Sequence, residues 1–229
     1  MFIEHKNGEF VKEHSIIVPF SPHIYQTMLN AEDLKFLQEF AELSRTSTPV
    51  GLMLSGNIIE QRGSDFMGRN NEAMRSRMLA LLTPHIQEYF KICQFLEKIS
   101  EPIRLKDDLL LDYEKINFHL GNGTWFNYMR ANEFNPSHSH SGMISGIAMI
   151  EIPEEIASED KKIPIDSNAR CPGALEWIHG SWGSGAYRKY PVTGELYMFP
   201  SELRHQVYPF KSDVERITMS WNVFDITFG

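Results

Sequence analysis

Two histidines separated by a single residue are the first side chains in this sequence whose type and spacing could do chemistry. His138 and His140 lie in FNPSHSHSG, where a loop enters a predicted strand. Residues i and i+2 of an extended strand point to the same face, so both imidazoles could reach one metal ion. The flanking residues are serines and a glycine, so burial in an apolar core does not explain the two histidines. By itself, however, an H-x-H pattern marks a polar loop more often than a metal site.

A third histidine and an arginine lie in the C-terminal segment GELYMFPSELRHQVYPFKSDVERITMSWNVF. His205 opens a short strand and Arg216 lies on the final strand, with ten residues between them. Two short antiparallel strands around the SDVE turn would place these side chains next to each other, facing the same interior. His205 could then complete a metal site, while the guanidinium of Arg216 offers a fork of donors for a carboxylate.

The surroundings of Arg216 favour that carboxylate. Its strand is rich in apolar residues, and a buried cation needs an anionic partner. Thr218 lies two residues further on, on the same face, and can add a hydroxyl hydrogen bond.

These residues must be positioned by a framework that is mainly β. Residues 109–228 contain seven short strand-like runs punctuated by Gly, Pro, Asn, Asp and Ser, which is typical of an antiparallel sandwich or small barrel. The runs are YEKINFHL, WFNYMRA, MISGIAMIEI, ALEWIHG, GELYMFP, QVYPF and RITMSWNVF. The long polar loop at residues 158–173 is typical of a lid or an insert.

The first half of the chain is predicted to supply a helical layer. SIIVPF indicates a strand, and AEDLKFLQEFAELSR indicates a helix with Asn30 as its N-cap. A second helical stretch at residues 71–99 is interrupted at Thr83-Pro84, which predicts two helices or one kinked helix. Residues 50–68, with their glycines, read as an irregular connection.

The predicted fold class is therefore α+β and mainly β. Residues 1–105 would form an N-terminal strand and supporting helices. Residues 106–229 would form a jelly roll, or double-stranded β-helix, that carries the active site. We expect the two parts to form one compact unit, a single domain of 229 residues.

Composition limits the partners. The chain has 22 Lys+Arg against 30 Asp+Glu, a net charge of −8, and no basic run, which argues against nucleic-acid and anionic-membrane partners. No window approaches the ~20 apolar residues of a membrane span, and the N-terminus does not read as a signal peptide. Cys93 and Cys171 form neither a metal motif nor a disulfide framework, so a cytoplasmic location is expected.

The motif-bearing part of the sequence, about residues 124–224, resembles the 2-oxoglutarate/Fe(II) oxygenase superfamily, and within it a prolyl-hydroxylase-like branch. The pattern N-x-x-R-x-N-x-F-x-x-x-H-x-H from Asn127 to His140, followed by Ser145-Gly146, is similar to the first metal segment of that branch. GELYMFPSELRHQVYPF, followed by ERITMSWN, is similar to the second and is the more specific match.

The resemblance implies a non-haem Fe(II) centre held by His138, His140 and His205. The superfamily usually has an H-x-D…H motif with two histidines and one carboxylate. In this sequence His140 stands in the place of the acid. Glu133 and Asp225 are nearby carboxylates, but neither has the position that a substitute ligand would need.

The resemblance also implies O2 and 2-oxoglutarate as co-substrates. Arg216, Thr218 and Asn127 would hold the 2-oxoglutarate carboxylate; many relatives have a Tyr where this chain has Met129, so Asn127 and Thr218 are expected to substitute for it. No catalytic residue is expected beyond the metal centre.

The expected reaction is hydroxylation of a protein side chain or a small metabolite, with succinate and CO2 as products. The oligomeric state and the prime substrate are not readable from the sequence. Candidate contacts for the prime substrate are aromatic or imidazole side chains near glycine-rich turns, namely Trp125, Trp177, His179 and Trp182. The segment HGSWGSGAYRKYP could close over a substrate.

Two other hypotheses stay open at this point. A cupin-type three-histidine dioxygenase or isomerase without 2-oxoglutarate explains the histidines equally well but leaves Arg216 unexplained. A non-catalytic jelly-roll binding module predicts that the isolated protein contains no metal.

Overall fold

The computed structural model describes residues 14–17, 22–47, 60–63, 72–100, 116–164, 171–180 and 185–228, and its strands form two antiparallel sheets. The strands are β1 (His14–Ile17), β2 (Ile24–Met28), β3 (Glu60–Gly63), β4 (Ile116–Met129), β5 (Asn135–His138), β6 (Ile144–Glu151), β7 (Leu175–Ile178), β8 (Ala186–Lys189), β9 (Glu195–Pro200), β10 (Arg204–Val207) and β11 (Arg216–Phe228). The helices are α1 (Ala31–Ser44), α2 (Glu72–Ser100) and α3 (Glu154–Asp160).

The large sheet has seven strands in the order β1-β2-β9-β6-β11-β4-β3, and the small sheet has four in the order β5-β10-β7-β8. Strand β11 is central in the large sheet because it pairs with β6 on one side and β4 on the other. Its side chains alternate between two environments. Ile217 and Met219 belong to the apolar core shared with the helices, whereas Arg216 and Thr218 line a cavity on the opposite face, between the sheets.

Helices α1 and α2 cover the outer face of the large sheet, whereas Ile156 of α3 packs in the second apolar cluster, between the sheets. Helix α1 begins after Asn30, whose side-chain oxygen accepts the backbone N–H of Asp33 at 2.8 Å, so the predicted N-cap is confirmed. The rings of Phe40 and Phe126 meet edge-to-face at 5.0 Å and fix α1 against β4. The opposite face of the large sheet, which carries Arg216 and Thr218, lines the cavity between the sheets.

Helix α2 runs through Pro84 as one helix. Proline offers no backbone N–H, and in this turn the hydroxyl of Thr83 donates to the carbonyl oxygen of Leu79 at 2.7 Å. Of the two expected outcomes, the single helix is the one observed.

No helix in the described ranges is both long enough and apolar enough to cross a membrane.

Three local predictions differ from the structure. The strands that carry His205 and Arg216 are not paired with each other: β10 lies in the small sheet and β11 in the large one, so the two side chains face one another across the interior. The supposed irregular connection at 50–68 contains strand β3, and the start of the polar loop at 158–173 overlaps helix α3. Residues 165–170 of that loop lie outside the described residues.

Candidate metal and co-substrate site

The three histidines of the two sequence motifs meet at one place between the sheets. His138 ends β5 directly opposite His205 on β10, and their ring centroids are 4.3 Å apart. His140 lies just beyond β5, with its ring 4.8 Å from that of His138 and 5.2 Å from that of His205. One ligand nitrogen from each ring lies within 4.8 Å of the others, a spacing that a metal ion could close with small rotations.

The i, i+2 argument assumed that His140 lies on the same strand as His138. In the structure it lies in the loop after β5. The backbone N–H of His140 donates to the carbonyl oxygen of Ser201 at 2.9 Å, and this bond holds the loop where the His140 side chain lines the cavity. The chain then turns at Gly142, which has φ of +115°, and a Cβ there would lie 2.9 Å from the carbonyl oxygen of Val223. Only glycine fits this turn, and the turn returns the chain into β6.

Two of the imidazoles are oriented by their own backbone. The Nδ1 atoms of His138 and His205 lie 2.6 and 3.0 Å from the carbonyl oxygens of Pro136 and Leu203, respectively. A carbonyl oxygen only accepts hydrogen bonds, so each Nδ1 carries the proton and each Nε2 keeps its lone pair free. This is the usual way in which proteins fix a metal-binding tautomer.

The imidazoles are held in the neutral form that binds metal. Burial lowers the pKa of His205 to about 3, with a further contribution from the neighbouring His138. Burial and the same neighbour lower the pKa of His140 to about 4. The pKa of His138 is also lowered, first by burial and then by the cation of Arg204. Near neutral pH, protons would compete little with a metal ion.

Arg216 is a buried cation in the wall of the same cavity, with 2% of its surface exposed. Its Nη1 donates to the carbonyl oxygen of Gly173 at 2.8 Å, its Nη2 lies 3.8 Å from the sulfur of Met149, and its Nε has no hydrogen-bond partner. Burial lowers its pKa to about 10. Among the described residues, no carboxylate pairs with it, so an anion from outside the chain would supply the missing charge.

A row of polar side chains crosses the large sheet beside Arg216. Gln61 on β3, Asn127 on β4 and Thr218 on β11 are register partners on adjacent strands. The amide nitrogen of Asn127 lies 3.1 Å from the hydroxyl oxygens of both Thr218 and Ser220. The sequence reasoning missed Gln61 and Ser220. The period-two spacing of Ser220 from Thr218 was a usable signal, whereas Gln61 lies in a segment without strand periodicity.

These groups line one cavity between the sheets, whose empty space is roughly 570 Å³ including its open mouth. Its walls combine the polar groups above with the apolar side chains of Trp125, Met129, Ile147, Leu175, Phe199 and Val207. The metal-ligand cluster and Arg216 therefore share one cavity.

The four candidate substrate contacts have different locations. Trp125 lines the cavity, with its ring 5.7 Å from that of His140. Trp177 is fully buried and packs against Tyr187 and other aromatic rings of the inner core rather than lining the cavity. His179 is exposed at the end of β7, and Trp182 lies outside the described residues.

The two carboxylates near the motifs stay apart from the histidines. The carboxylate of Glu133 accepts the backbone N–H of Arg130, and Asp225 is exposed. The cluster of possible metal ligands found in the described part of the chain contains only the three histidines. Imidazoles with free Nε2 atoms and a nearby unpaired guanidinium fit a divalent transition metal and an anionic co-substrate.

Comparison with known proteins supports this description. A family model described as "Putative 2OG-Fe(II) oxygenase" matches residues 123–222, the part of the chain that carries all the site residues except Gln61. No curated protein sequence matches the chain.

Solved structures show the fold. The non-haem α-ketoglutarate-dependent carbocyclase SnoK from nogalamycin biosynthesis matches with a TM-score of 0.54 and 9% identity, covering 90% of this chain and 81% of that one. The epimerase SnoN from the same biosynthesis matches with a TM-score of 0.53 and 12% identity, covering 90% and 79%. The predicted double-stranded β-helix with supporting helices is thus confirmed.

A prolyl-4-hydroxylase from Pseudomonas putida is 17% identical and covers 87% of this chain and 91% of that one. Its TM-score of 0.49 is too low to add to the fold assignment.

Proposed function

We propose that this chain is a 2OG-Fe(II) oxygenase and that His138, His140 and His205 hold its iron. Arg216 and Thr218 would hold the distal carboxylate of 2-oxoglutarate, and Asn127 would take part through its hydrogen bond to the Thr218 hydroxyl. The family model that matches residues 123–222 supports this assignment, and the residue roles and the reaction below belong to the same proposal.

The observation that carries the proposal is the unpaired, buried guanidinium of Arg216 in the same cavity as the histidine cluster. A buried cation without an anion is costly, so a fold that retains one gains from an anionic ligand. A three-histidine enzyme without 2-oxoglutarate would have no use for this cation. A binding module without metal would have no use for three neutral imidazoles with free nitrogens.

When bound, Fe(II) together with O2 and 2-oxoglutarate supplies the oxidising power for attack on a C–H bond, and the co-substrate leaves as succinate and CO2. The rings of His138 and His205, held through Nδ1 by backbone carbonyls, would offer their Nε2 lone pairs to the metal after small rotations. Arg216 neutralises and aligns the co-substrate through its carboxylate. The apolar walls, including Phe199 and Ile147, keep water away from the reacting atoms.

The proposed outcome is hydroxylation of a protein side chain or a small metabolite. SnoN and SnoK, which share the fold, are named an epimerase and a carbocyclase, so the fold alone does not fix the outcome. A reducing, cytoplasmic location is proposed from the free thiols of Cys93 and Cys171, and it suits a ferrous centre.

The test combines binding and turnover. Anaerobic calorimetry of 2-oxoglutarate into Fe(II)-loaded protein should give saturable one-site binding, and Arg216→Met should weaken it by about 100-fold or more. Arg204→Met removes an exposed cation near His138 and serves as the matched control. Succinate formation in air, measured with candidate peptides and metabolites, reports turnover. Unchanged 2-oxoglutarate affinity in Arg216→Met would overturn the assignment.

A further inference from the structure

We propose that Gln61 is a positioning residue that sets the hydrogen-bond polarity of the co-substrate pocket, and that Ser220 is a second hydroxyl contact for the bound carboxylate. Gln61 would do this by fixing the side-chain amide of Asn127, so that Thr218 and Ser220 both keep their protons for the ligand. This inference rests on the proposed function, because it concerns the same 2-oxoglutarate pocket.

The geometry is a chain of hydrogen bonds across three strands. The amide nitrogen of Gln61 donates to the side-chain oxygen of Asn127 at 2.9 Å. The amide nitrogen of Asn127 then donates to the hydroxyl oxygens of Thr218 and Ser220, both at 3.1 Å. All four side chains line the cavity together with Arg216. Asn127 and Thr218 are buried, so water competes poorly for these bonds.

The polarity follows from counting donors and acceptors. An asparagine amide has two N–H donors on one side and an acceptor oxygen on the other. Since Gln61 occupies the oxygen, both N–H groups of Asn127 are directed to the two hydroxyl oxygens. Each hydroxyl accepts one bond and still has its own proton to donate. Within the described ranges, neither proton has an acceptor in the protein, so both are available to a ligand in the cavity.

The opposite amide orientation would give the opposite pocket. With its oxygen facing the hydroxyls, Asn127 would accept from Thr218 and Ser220 and consume both protons. The pocket would then offer the guanidinium of Arg216 and two hydroxyl lone pairs, which repel a carboxylate. In the structure the partner on β3 donates to Asn127, which corresponds to the orientation in which the hydroxyls assist Arg216. A pocket of donors alone selects dicarboxylate or 2-oxo-acid ligands over neutral ones.

Gln61→Glu tests this directly, because a carboxylate can only accept. It should reverse the amide of Asn127, which would then donate to Glu and accept from the hydroxyls. We expect 2-oxoglutarate affinity, measured by anaerobic calorimetry on Mn(II)-loaded protein, to fall by about 10- to 30-fold. Gln61→Met, which frees the amide without reversing it, should cost only about 2- to 4-fold. Metal affinity should not change in either variant.

Two controls separate polarity from added charge. Gln38→Glu adds the same charge on the exposed face of α1 and should bind 2-oxoglutarate like the wild type. Ser220→Ala and Thr218→Val remove the hydroxyls through which Gln61 would act. In a Ser220→Ala, Thr218→Val background, the further loss caused by Gln61→Glu should shrink to about 3-fold or less. A loss of the same size in both backgrounds means charge repulsion and overturns the proposal.

The failure of this inference differs from the failure of the proposed function. A wild type that binds no 2-oxoglutarate would remove the function and the inference together. A wild type that binds it, with Gln61→Glu and Gln61→Met binding equally well while remaining folded by circular dichroism, would remove the inference alone.

Discussion

The metal half and the carboxylate half of the candidate site are built from different parts of the fold. The carboxylate half lies on β4 and β11, which have 14 and 13 residues and are both paired on two sides within the large sheet. The metal half lies on β5 and β10, with four residues each, and on the loop after β5. The carboxylate half is therefore shaped by the sheet, whereas the metal half depends on local tethers within short segments.

Within the metal half, the three histidines differ in how their rings are held. His138 and His205 have their rings fixed by backbone carbonyls, whereas no such bond holds the ring of His140 in the described structure. His140 also stands where the superfamily usually has an acid. The rings of His138 and His205 are therefore oriented before a metal ion binds, whereas the ring of His140 would be oriented chiefly by the metal.

The largest expected effect tests this division. His205→Ala should reduce the affinity for Mn(II) or Fe(II) by roughly three orders of magnitude, about 4 kcal/mol, because a pre-oriented ligand is lost. His140→Ala should cost less, about 10- to 100-fold. Anaerobic metal titration measures both, with the exposed His119→Ala as the control. Equal losses at the two positions would contradict the division.

The close packing of Gly146 on β6 against Trp221 on β11 can be tested by adding a methyl group. A Cβ at Gly146 would lie 2.1 Å from the indole of Trp221 on the neighbouring strand, so Gly146→Ala must displace that ring or the strand. We expect the free energy of unfolding in urea to fall by about 2–3 kcal/mol. Gly180→Ala, where a Cβ meets nothing within 4 Å, should cost about 1 kcal/mol through its positive φ alone. Equal costs would mean that the close packing is unimportant.

Acid should weaken the metal-free protein through the metal half. The folded pKa of His205 is about 3, below the ordinary value near 6.5, so the unfolded state binds more protons between these values. The stability from neutral His205 is therefore present above about pH 6.5 and is lost as the pH falls, by about 2 kcal/mol between pH 6.5 and 5. In urea unfolding with a chelator present, the unfolding free energy of His205→Asn should fall less steeply between pH 6.5 and 5 than that of the wild type. A parallel pH profile in the variant would refute it.

The smallest effect sharpens the carboxylate half. Thr218→Val keeps the side-chain shape and removes one hydroxyl contact, so 2-oxoglutarate affinity should fall about tenfold, ~1.4 kcal/mol, with unchanged metal affinity. Thr227→Val, an exposed position on the same strand, is the control. Calorimetry distinguishes the two variants. A change in metal affinity with Thr218→Val would show that the two halves are coupled.

Much of the site could be predicted because its residue types are unusual for their neighbourhood. An H-x-H pair without apolar neighbours and an arginine in an apolar strand both need a ligand to explain them, and the structure brings them into one cavity. The partner strand of β10 could not be predicted, since period-two alternation gives the face of a strand and not the sheet to which it belongs. The metal-ligand and co-substrate roles stay predictions.

Other features had weaker signals. Strand β3 has four residues, EQRG, with no alternation, so the position of Gln61 beside Asn127 was invisible in the sequence. Trp177 was a candidate for the pocket wall or lid. Its full burial reflects the inward face of β7 instead, a choice between two faces that local composition does not make.

The alternation along β11 has a consequence for sequence variation. Positions 216, 218 and 220 face the ligand cavity, and positions 217 and 219 belong to the apolar core shared with the helices. A saturation-mutagenesis scan of this strand should therefore give two interleaved profiles. Even positions would tolerate change in an abundance screen but fail in a ligand-binding screen. Odd positions would accept apolar exchanges of similar volume and otherwise lower the amount of folded protein in the cell.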